Sequence, residues 1–168
     1  MKHNIIIGHA DGVSAAYELS GLVRRALVTA LNAEGVYVPC EINVLFTNDE
    51  GIREINREMR GVDSATDVLS FPMHDFTPGA FDVSADELCE DGGRLALGDM
   101  ALSVDHIRSQ AREFGHSLSR EAAYLTVHSA LHLLGYDHLD EGEQKRLMRG
   151  REKAIMAQLG LGREDTEE

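Results

Sequence analysis

The spacing of apolar residues along the chain predicts four strands and five helices. Short apolar runs or alternating patterns, which are typical of strands, occur at residues 4–8, 41–47, 66–73 and 97–103. Apolar residues at intervals of three and four indicate helices, which we place, counting their capping residues, at 14–34, 47–61, 104–114, 119–134 and 140–160. The helix at 119–134 is apolar on most sides, so it is expected to lie at the centre of the molecule.

The predicted order of elements is β-α-β-α-β-β-α-α-α, with the last three helices gathered at the C-terminal end. This order favours an α+β fold in which helices are layered on one small, four-stranded mixed sheet. We expect a single domain over residues 1–160 and an acidic, disordered tail over 161–168.

Composition narrows the class of protein. The chain has 168 residues, of which 43% are hydrophobic and 27% charged, as in an ordinary soluble domain, and no stretch is long and apolar enough for a membrane span. Its two cysteines, Cys40 and Cys89, cannot build a disulfide framework or a four-thiolate zinc site, which favours a reducing cytoplasm. The net charge of −13 argues against general binding of polyanions, although a local basic surface is compatible with it. Acidic residues concentrate in the tail and in segment 82–95, to which we attach no function.

The strongest chemical signal is a group of three histidines in the central helix and just beyond it. His128 and His132 are four residues apart, so both side chains project from one face of the helix. Gly135 is suited to the left-handed conformation that ends a helix, after which the chain can bring His138 back to the same ion. Three neutral imidazole nitrogens with one position left open are the ligand plan of a catalytic zinc site, where the pKa of a coordinated water falls to about 7.

The three histidines have other interpretations. One histidine in an apolar helix is more often a hydrogen-bonded core residue than a ligand, but the third histidine beyond a helix-ending glycine favours metal. Asp137 and Asp140 are candidates to orient a ring or are solvated turn residues. The spacing also matches the metzincin protease signature, but Ser129 stands where that signature needs a glutamate base, so peptide hydrolysis is not expected. We interpret the remaining histidines as surface residues: His3, His9, His74, His106 and His116.

Three motifs resemble those of the YbeY family of bacterial endoribonucleases, also called rRNA maturation factors. They are His128-Ser-Ala-Leu-His132-Leu-Leu-Gly-Tyr-Asp-His138, Asn56-x-x-x-Arg60 followed by Thr66-Asp-Val-Leu-Ser-Phe-Pro72, and Leu97-Gly-Asp-Met-Ala-Leu-Ser103. The family usually has glycine where this chain has Ser129. The resemblance implies a cytoplasmic, metal-dependent endoribonuclease that cuts single-stranded RNA in 16S rRNA maturation and ribosome quality control. It also implies one Zn²⁺ at His128, His132 and His138, and work on or near the ribosomal small subunit, with the GTPase Era and a small-subunit ribosomal protein as partners.

Arg60 and His128 are the candidate catalytic residues. Arg53, Arg57 and Arg60 fall on one face of the second helix, where they either meet phosphate or pair with the intervening glutamates. A guanidinium can hold a phosphate through two hydrogen bonds and offset charge in the transition state, so we choose Arg60 for that role. The alternative to a nuclease is a ribosome-assembly factor that binds RNA around a structural metal. The open three-histidine set favours the enzyme, and the acidic charge balance with no evident general base favours the binding factor.

Overall fold

The computed structural model describes residues 2–13, 16–83, 93–137 and 142–162, without the side chains of 16–18. Its strands are β1 (Asn4–His9), β2 (Cys40–Thr47), β3 (Val68–Pro72) and β4 (Leu95–Ser103). Its helices are α1 (Ala16–Ala33), α2 (Asp49–Arg60), α3 (Val104–Phe114), α4 (Leu118–Leu133) and α5 (Glu143–Gln158). The predicted α+β class, the element order and the numbers of strands and helices are therefore confirmed for the described residues.

The four strands form one mixed sheet in the order β1-β2-β4-β3. Strands β1, β2 and β4 are parallel, and the short edge strand β3 runs antiparallel to β4. The register of β2 and β4 shifts between Glu41 and Ile42, which pair with Ala96 and Gly98 and so leave Leu97 as the extra residue. Gly98 has φ +152°, and a Cβ there would lie 2.6 Å from the Phe71 carbonyl oxygen. Only glycine fits at this position.

The two faces of the sheet pack against different helices. Val44, Phe46, Met100 and Leu102 point into the main core, which they share with α1, α4 and α5. The residues next to them in sequence point to the opposite face of the sheet. On that face, Leu69 and Ala101 pack with Ile52 of α2 in a smaller cluster. Because side chains alternate along a strand, α2 lies on the opposite face of the sheet from α4.

Helix α4 has the central position that its composition predicted. It packs against α1, α3, α5 and strand β3, and its buried residues include the fully enclosed Ala123, Val127 and Leu131. It begins at the N-cap Ser117, whose side chain accepts a hydrogen bond from the backbone of Arg120, and not at Ser119 as predicted. The C-terminal half of this helix carries His128 and His132, so the candidate ligands stand on a rigid, well-packed element.

The last described residues are held against the domain. Leu161 packs on the main core, and Arg120 donates a hydrogen bond to its carbonyl oxygen at 3.2 Å. Residues 163–168, most of the predicted tail, lie outside the described residues, as does the predicted helix cap Asp140. None of the helices in the described ranges is both long enough and apolar enough to cross a bilayer.

Candidate metal centre

His128 and His132 bring two ring nitrogens together. Their Nε2 atoms are 3.1 Å apart, and the ring planes stand at 82° with centroids 4.7 Å apart. Both side chains are half-buried. The i,i+4 spacing on α4 produces this meeting without any distortion of the helix.

The outer nitrogen of each ring is already engaged. Nδ1 of His128 lies 2.5 Å from Oε2 of Glu152, and Nδ1 of His132 lies 3.0 Å from the carbonyl oxygen of Tyr136. A carboxylate and a carbonyl oxygen only accept hydrogen bonds, so both Nδ1 atoms must carry the proton. In the neutral form of each ring, Nε2 then carries no proton and faces the other ring.

This arrangement of donors and acceptors fits a metal ion. When both rings are neutral, two lone pairs face each other at 3.1 Å, and this repulsion is relieved by a cation between the nitrogens, either a metal ion or a proton. Two nitrogens on one tetrahedral zinc ion, each about 2.0–2.1 Å from it, are separated by roughly 3.3–3.4 Å, close to the observed distance. Protonation at Nδ1 by a carboxylate or a backbone carbonyl is also the usual support of metal-binding histidines.

Glu152 is a functional residue that the sequence analysis missed. It lies on α5 between Met148 and Ile155, on the inward face of the helix, and it is buried although charged. Its second oxygen accepts a hydrogen bond from the Tyr124 hydroxyl at 3.1 Å. A carboxylate in the middle of an apolar helix face was the available signal, because such a group is buried only when it has partners. Burial and Glu152 raise the pKa of Tyr124, which keeps its hydroxyl protonated as a donor.

Tyr136, whose carbonyl oxygen bonds to His132, is itself held by a hydrogen bond from its side chain. The Tyr136 hydroxyl donates to Oε1 of Glu34, and Arg151 donates to Oε2 of the same carboxylate at 2.6 Å. Burial, and then the hydrogen bond to Glu34, raises the pKa of Tyr136 to about 12. Helices α1 and α5 thus fix the residue whose carbonyl oxygen orients His132. The Nδ1 partners of the two rings are Glu152 and Tyr136.

The turn after α4 is formed by Gly135, as predicted. Gly135 has φ +100°, and its N–H donates to the carbonyl oxygen of His132 at 3.1 Å. A Cβ at this position would lie 2.1 Å from the Phe76 carbonyl oxygen, so the loop after β3 rests directly on the turn. Residues 138–141 lie outside the described residues, and His138 is among them. Within the described ranges, no third His, Cys, Asp or Glu joins the pair as a ligand group.

Ser129, the residue that departs from the usual family motif, faces the sheet. It is fully buried, and its hydroxyl lies 2.6 Å from the hydroxyl of Ser70 on β3. The extra side chain is therefore accommodated by a partner from the second motif. This contact ties the helix that carries the histidines to the edge strand.

Arg60 makes no direct contact with the histidine pair among the described hydrogen bonds and ion pairs. It lies in the last turn of α2, on the opposite face of the sheet from α4, and Gly61 closes the helix with φ +71°. Its side chain is exposed and makes no hydrogen bond or ion pair with any described residue.

The first arginine of the same face differs, since Arg53 pairs through two hydrogen bonds with Asp63, at 2.8 and 3.2 Å, and not with the intervening glutamates. Asp63 keeps a lowered pKa because of this hydrogen bond. Arg57 and Arg60 remain as the exposed cations of that face.

Four of the five remaining histidines are not simple surface residues, which corrects the sequence prediction. His3 accepts from the backbone N–H of Cys40, His74 bonds to the carbonyl of Ala96, and His116 pairs with the buried Glu121 at 2.6 Å. His106 and Ser103 both bond to Asp49, which joins the starts of α2 and α3. The Ser103 hydroxyl and the His106 ring each bond to Asp49, and the ring does not bond to the hydroxyl. The group is therefore a helix-cap cluster and not a hydrolytic triad, in which the histidine ring bonds to the serine. Only His9 is exposed as predicted.

The fold and the paired imidazoles define an α+β protein with a candidate metal-binding helix at its centre. Residues 9–160 match the family model described as Endoribonuclease YbeY. Endoribonuclease YbeY of Clostridium acetobutylicum is 44% identical over 159 residues, which cover 91% of this chain and 95% of the relative. Endoribonuclease YbeY of Clostridium botulinum strain Hall is 45% identical over 152 residues, covering 87% and 91%. The chain therefore belongs to the YbeY family of endoribonucleases, as its motifs predicted.

A solved structure supports the fold independently. The solution structure of TM1509 from Thermotoga maritima has a TM-score of 0.56 to this chain, with 22% sequence identity. The comparison covers 93% of this chain and 91% of the other. At that identity, the similarity concerns the fold alone.

Proposed function

We propose that this protein is a zinc-dependent endoribonuclease specific for single-stranded RNA, which acts in maturation of 16S rRNA and in ribosome quality control. Membership in a family of endoribonucleases supports RNA as the substrate class. The observation that supports the metal is the approach of the two Nε2 atoms to 3.1 Å, with each Nδ1 bonded to an oxygen acceptor. The proposed setting is the cytoplasm, on or near the ribosomal small subunit, with Era and a small-subunit ribosomal protein as partners.

The residues proposed to hold one zinc ion are His128, His132 and His138. When bound, zinc supplies a nucleophile at neutral pH and a positive charge near the reacting phosphate. Glu152 holds the proton on Nδ1 of His128 and so keeps Nε2 free to bind. The Tyr136 carbonyl does the same for His132. Helix α4 fixes the spacing of His128 and His132.

Arg60 is proposed to bind the phosphodiester. Its exposed guanidinium has no partner among the described residues, and a planar fork suits two hydrogen bonds to phosphate. A lysine in this position would still suit the end of a helix but would lose the second hydrogen bond. We therefore expect Arg60→Lys to fold and to bind zinc normally but to cleave RNA about a hundredfold more slowly. Near-equal rates at matched zinc content would end the assignment of Arg60.

The deciding experiment measures cleavage of an unstructured, end-labelled oligoribonucleotide. We expect cleavage by the zinc-loaded protein, loss of cleavage after chelation, and recovery when zinc is restored. His132→Ala should lose most of both its zinc and its activity, while the exposed His9→Ala should keep both. Activity that survives chelation would exclude a catalytic metal. Zinc-loaded protein that binds the RNA without cutting it would support the alternative, an assembly factor with a structural metal.

A further inference from the structure

A cavity of about 710 Å³ opens between α3, α4 and α5. Its exposed lining residues are two aromatic and two basic side chains, which we call the α5 groove: Phe114, Tyr124, Arg149 and Lys153. Phe114 is 56% exposed and Tyr124 38% exposed, which is unusual for rings of this size at the rim of a cavity.

The acidic residues that line this cavity are buried or half-buried and hydrogen-bonded, and they are Asp67, Glu121 and Glu152. Glu121 is buried and accepts hydrogen bonds from His116 and Gln110 at 2.6 and 2.7 Å. Glu152 is committed to His128 and Tyr124. In contrast, the side chains of Arg149 and Lys153 are exposed and make no hydrogen bond or ion pair within the described part of the chain. The exposed charged residues of the lining are therefore both cations.

Helix α5 as a whole departs from the charge of the protein. Between Glu143 and Gln158 it carries five basic residues and two acidic ones, a net charge of +3 in a chain of net charge −13. Arg149 and Lys153 are four residues apart, so they lie one above the other on one face of the helix. The overall acidity of the chain hides this basic surface from a composition argument.

We propose that the α5 groove binds a segment of single-stranded RNA, with bases stacked on Phe114 and Tyr124 and phosphates held by Arg149 and Lys153. Cations that follow the backbone, combined with exposed rings that accept any base, are the usual means of binding single strands without sequence preference. The proposal rests on the proposed function, since the same strand would continue to the histidine pair. Tyr124 lies one helical turn, about 6 Å, before His128 on α4. The groove therefore binds nucleotides that flank the cleaved bond.

The test separates binding from cleavage. Binding of a fluorescent, unstructured oligoribonucleotide is measured by anisotropy in chelator, so no metal and no catalysis is needed. We expect the double variant R149Q/K153Q to bind roughly tenfold more weakly than the parent. Removal of two phosphate contacts should also reduce the slope of log affinity against log salt by about 1.4.

A matched control is available on the neighbouring helix. Arg108 and Arg112 are exposed and lie two positions from Gln110, about 200° around α3 and so away from the cavity. The double variant R108Q/R112Q makes the same change in net charge, so it should bind RNA like the parent with an unchanged slope. Equal weakening in both double variants would mean that only net charge matters and would overturn the proposed site.

Phe114→Leu tests whether a base stacks on the Phe114 ring. Loss of one base contact should weaken binding by roughly 5- to 150-fold with little change in the salt slope. All of these side chains are exposed, so the variants should keep the circular dichroism of the parent. Parent-like affinity in both R149Q/K153Q and Phe114→Leu would refute the groove, even if the protein cleaves RNA. Groove-dependent binding by a zinc-loaded protein that cleaves nothing would leave the inference in place and refute the proposed function instead.

Discussion

At the scale of single residues, the site depends on where protons are held. Glu152 and the carbonyl of Tyr136 both place the ring proton of a histidine at Nδ1, which leaves both Nε2 atoms available to one ion. The i,i+4 spacing of His128 and His132 was visible in the sequence. Their orienting groups were not, because Glu152 lies 24 residues further along and reaches His128 only through the packing of α5 on α4.

Glu152→Gln tests this orienting role. The amide can still accept the Nδ1 hydrogen bond, but it lacks the negative charge that strengthens the bond and raises the basicity of the ring. We expect zinc affinity to fall about 10- to 100-fold, measured by competition with a chelating dye. Glu58→Gln, the same change at an exposed position of α2, should leave the affinity unchanged. Equal affinities in the two variants would contradict the role of Glu152.

Cys40 gives a prediction for alkaline pH. The thiol is fully buried, and burial raises its pKa from an ordinary value of 9.0 to about 12. Below pH 9 the thiol is protonated in both folded and unfolded chains, so its contribution to stability is complete. Above that pH only the unfolded chain releases the proton, and stability is lost as the pH rises toward 12.

Cys40→Ala removes this titration. The variant should be less stable than the parent at about pH 8, because the deletion leaves a cavity in the core. The difference should then narrow as the pH rises above 9, by at most about 1.4 kcal/mol for each pH unit. Urea unfolding of both proteins across this range measures it, and a constant difference would show that the Cys40 pKa is not raised.

At the scale of elements, the position of the ligand helix depends on contacts with β3 and with the loop that follows β3. The Ser70–Ser129 hydrogen bond joins α4 to the strand, and the Phe76 carbonyl oxygen lies against Gly135 at the end of the helix. Both contacts link segments more than fifty residues apart, so they could not be anticipated from local patterns. The glycine turn itself could be, because its role follows from backbone conformation.

The hydroxyl pair can be measured with a double-mutant cycle. Ser129→Ala should cost about 1 kcal/mol of unfolding free energy, since it leaves the Ser70 hydroxyl without its partner. Ser70→Ala should cost a similar amount, and the double variant should cost less than the sum by about 0.5 kcal/mol or more. Strict additivity in urea unfolding would show that the two hydroxyls do not interact.

Two glycines with similar backbone roles are expected to differ in their tolerance of alanine. Gly115 has φ +71° and open space around it, so Gly115→Ala should cost only the backbone strain of about 1–2 kcal/mol. Gly135 has φ +100° and the Phe76 carbonyl oxygen where a Cβ would be. Gly135→Ala should exceed the cost of Gly115→Ala by about 1–3 kcal/mol, and it should also weaken zinc binding. Equal losses of stability would contradict the close approach of the Phe76 loop.

At the scale of the whole molecule, charge and layers decide which surfaces are available. The chain is strongly acidic, yet α5 and the exposed end of α2 present cations on opposite faces of the sheet. The apolar patterns of the sequence identified the elements and the central position of α4. They could not assign α2 and α4 to opposite faces, since that depends on which side of each strand packs against which helix. For the same reason, the sequence did not tell which of the basic residues lie near the histidines.

The location of Glu152 has a consequence for the order in which the protein is made. Synthesis proceeds from the N-terminus, so His128 and His132 leave the ribosome before the helix that orients them. Glu152 bonds directly to His128, and Arg151 binds the Glu34 carboxylate that holds Tyr136. Both residues belong to the last described helix. A nascent chain that ends before α5 carries both histidines and the Tyr136 carbonyl, but it lacks the carboxylate that holds the Nδ1 proton of His128. The proposed nuclease is therefore assembled only when its final helix docks, which keeps an RNA-cutting centre incomplete while the chain is still attached to the RNA machine that makes it.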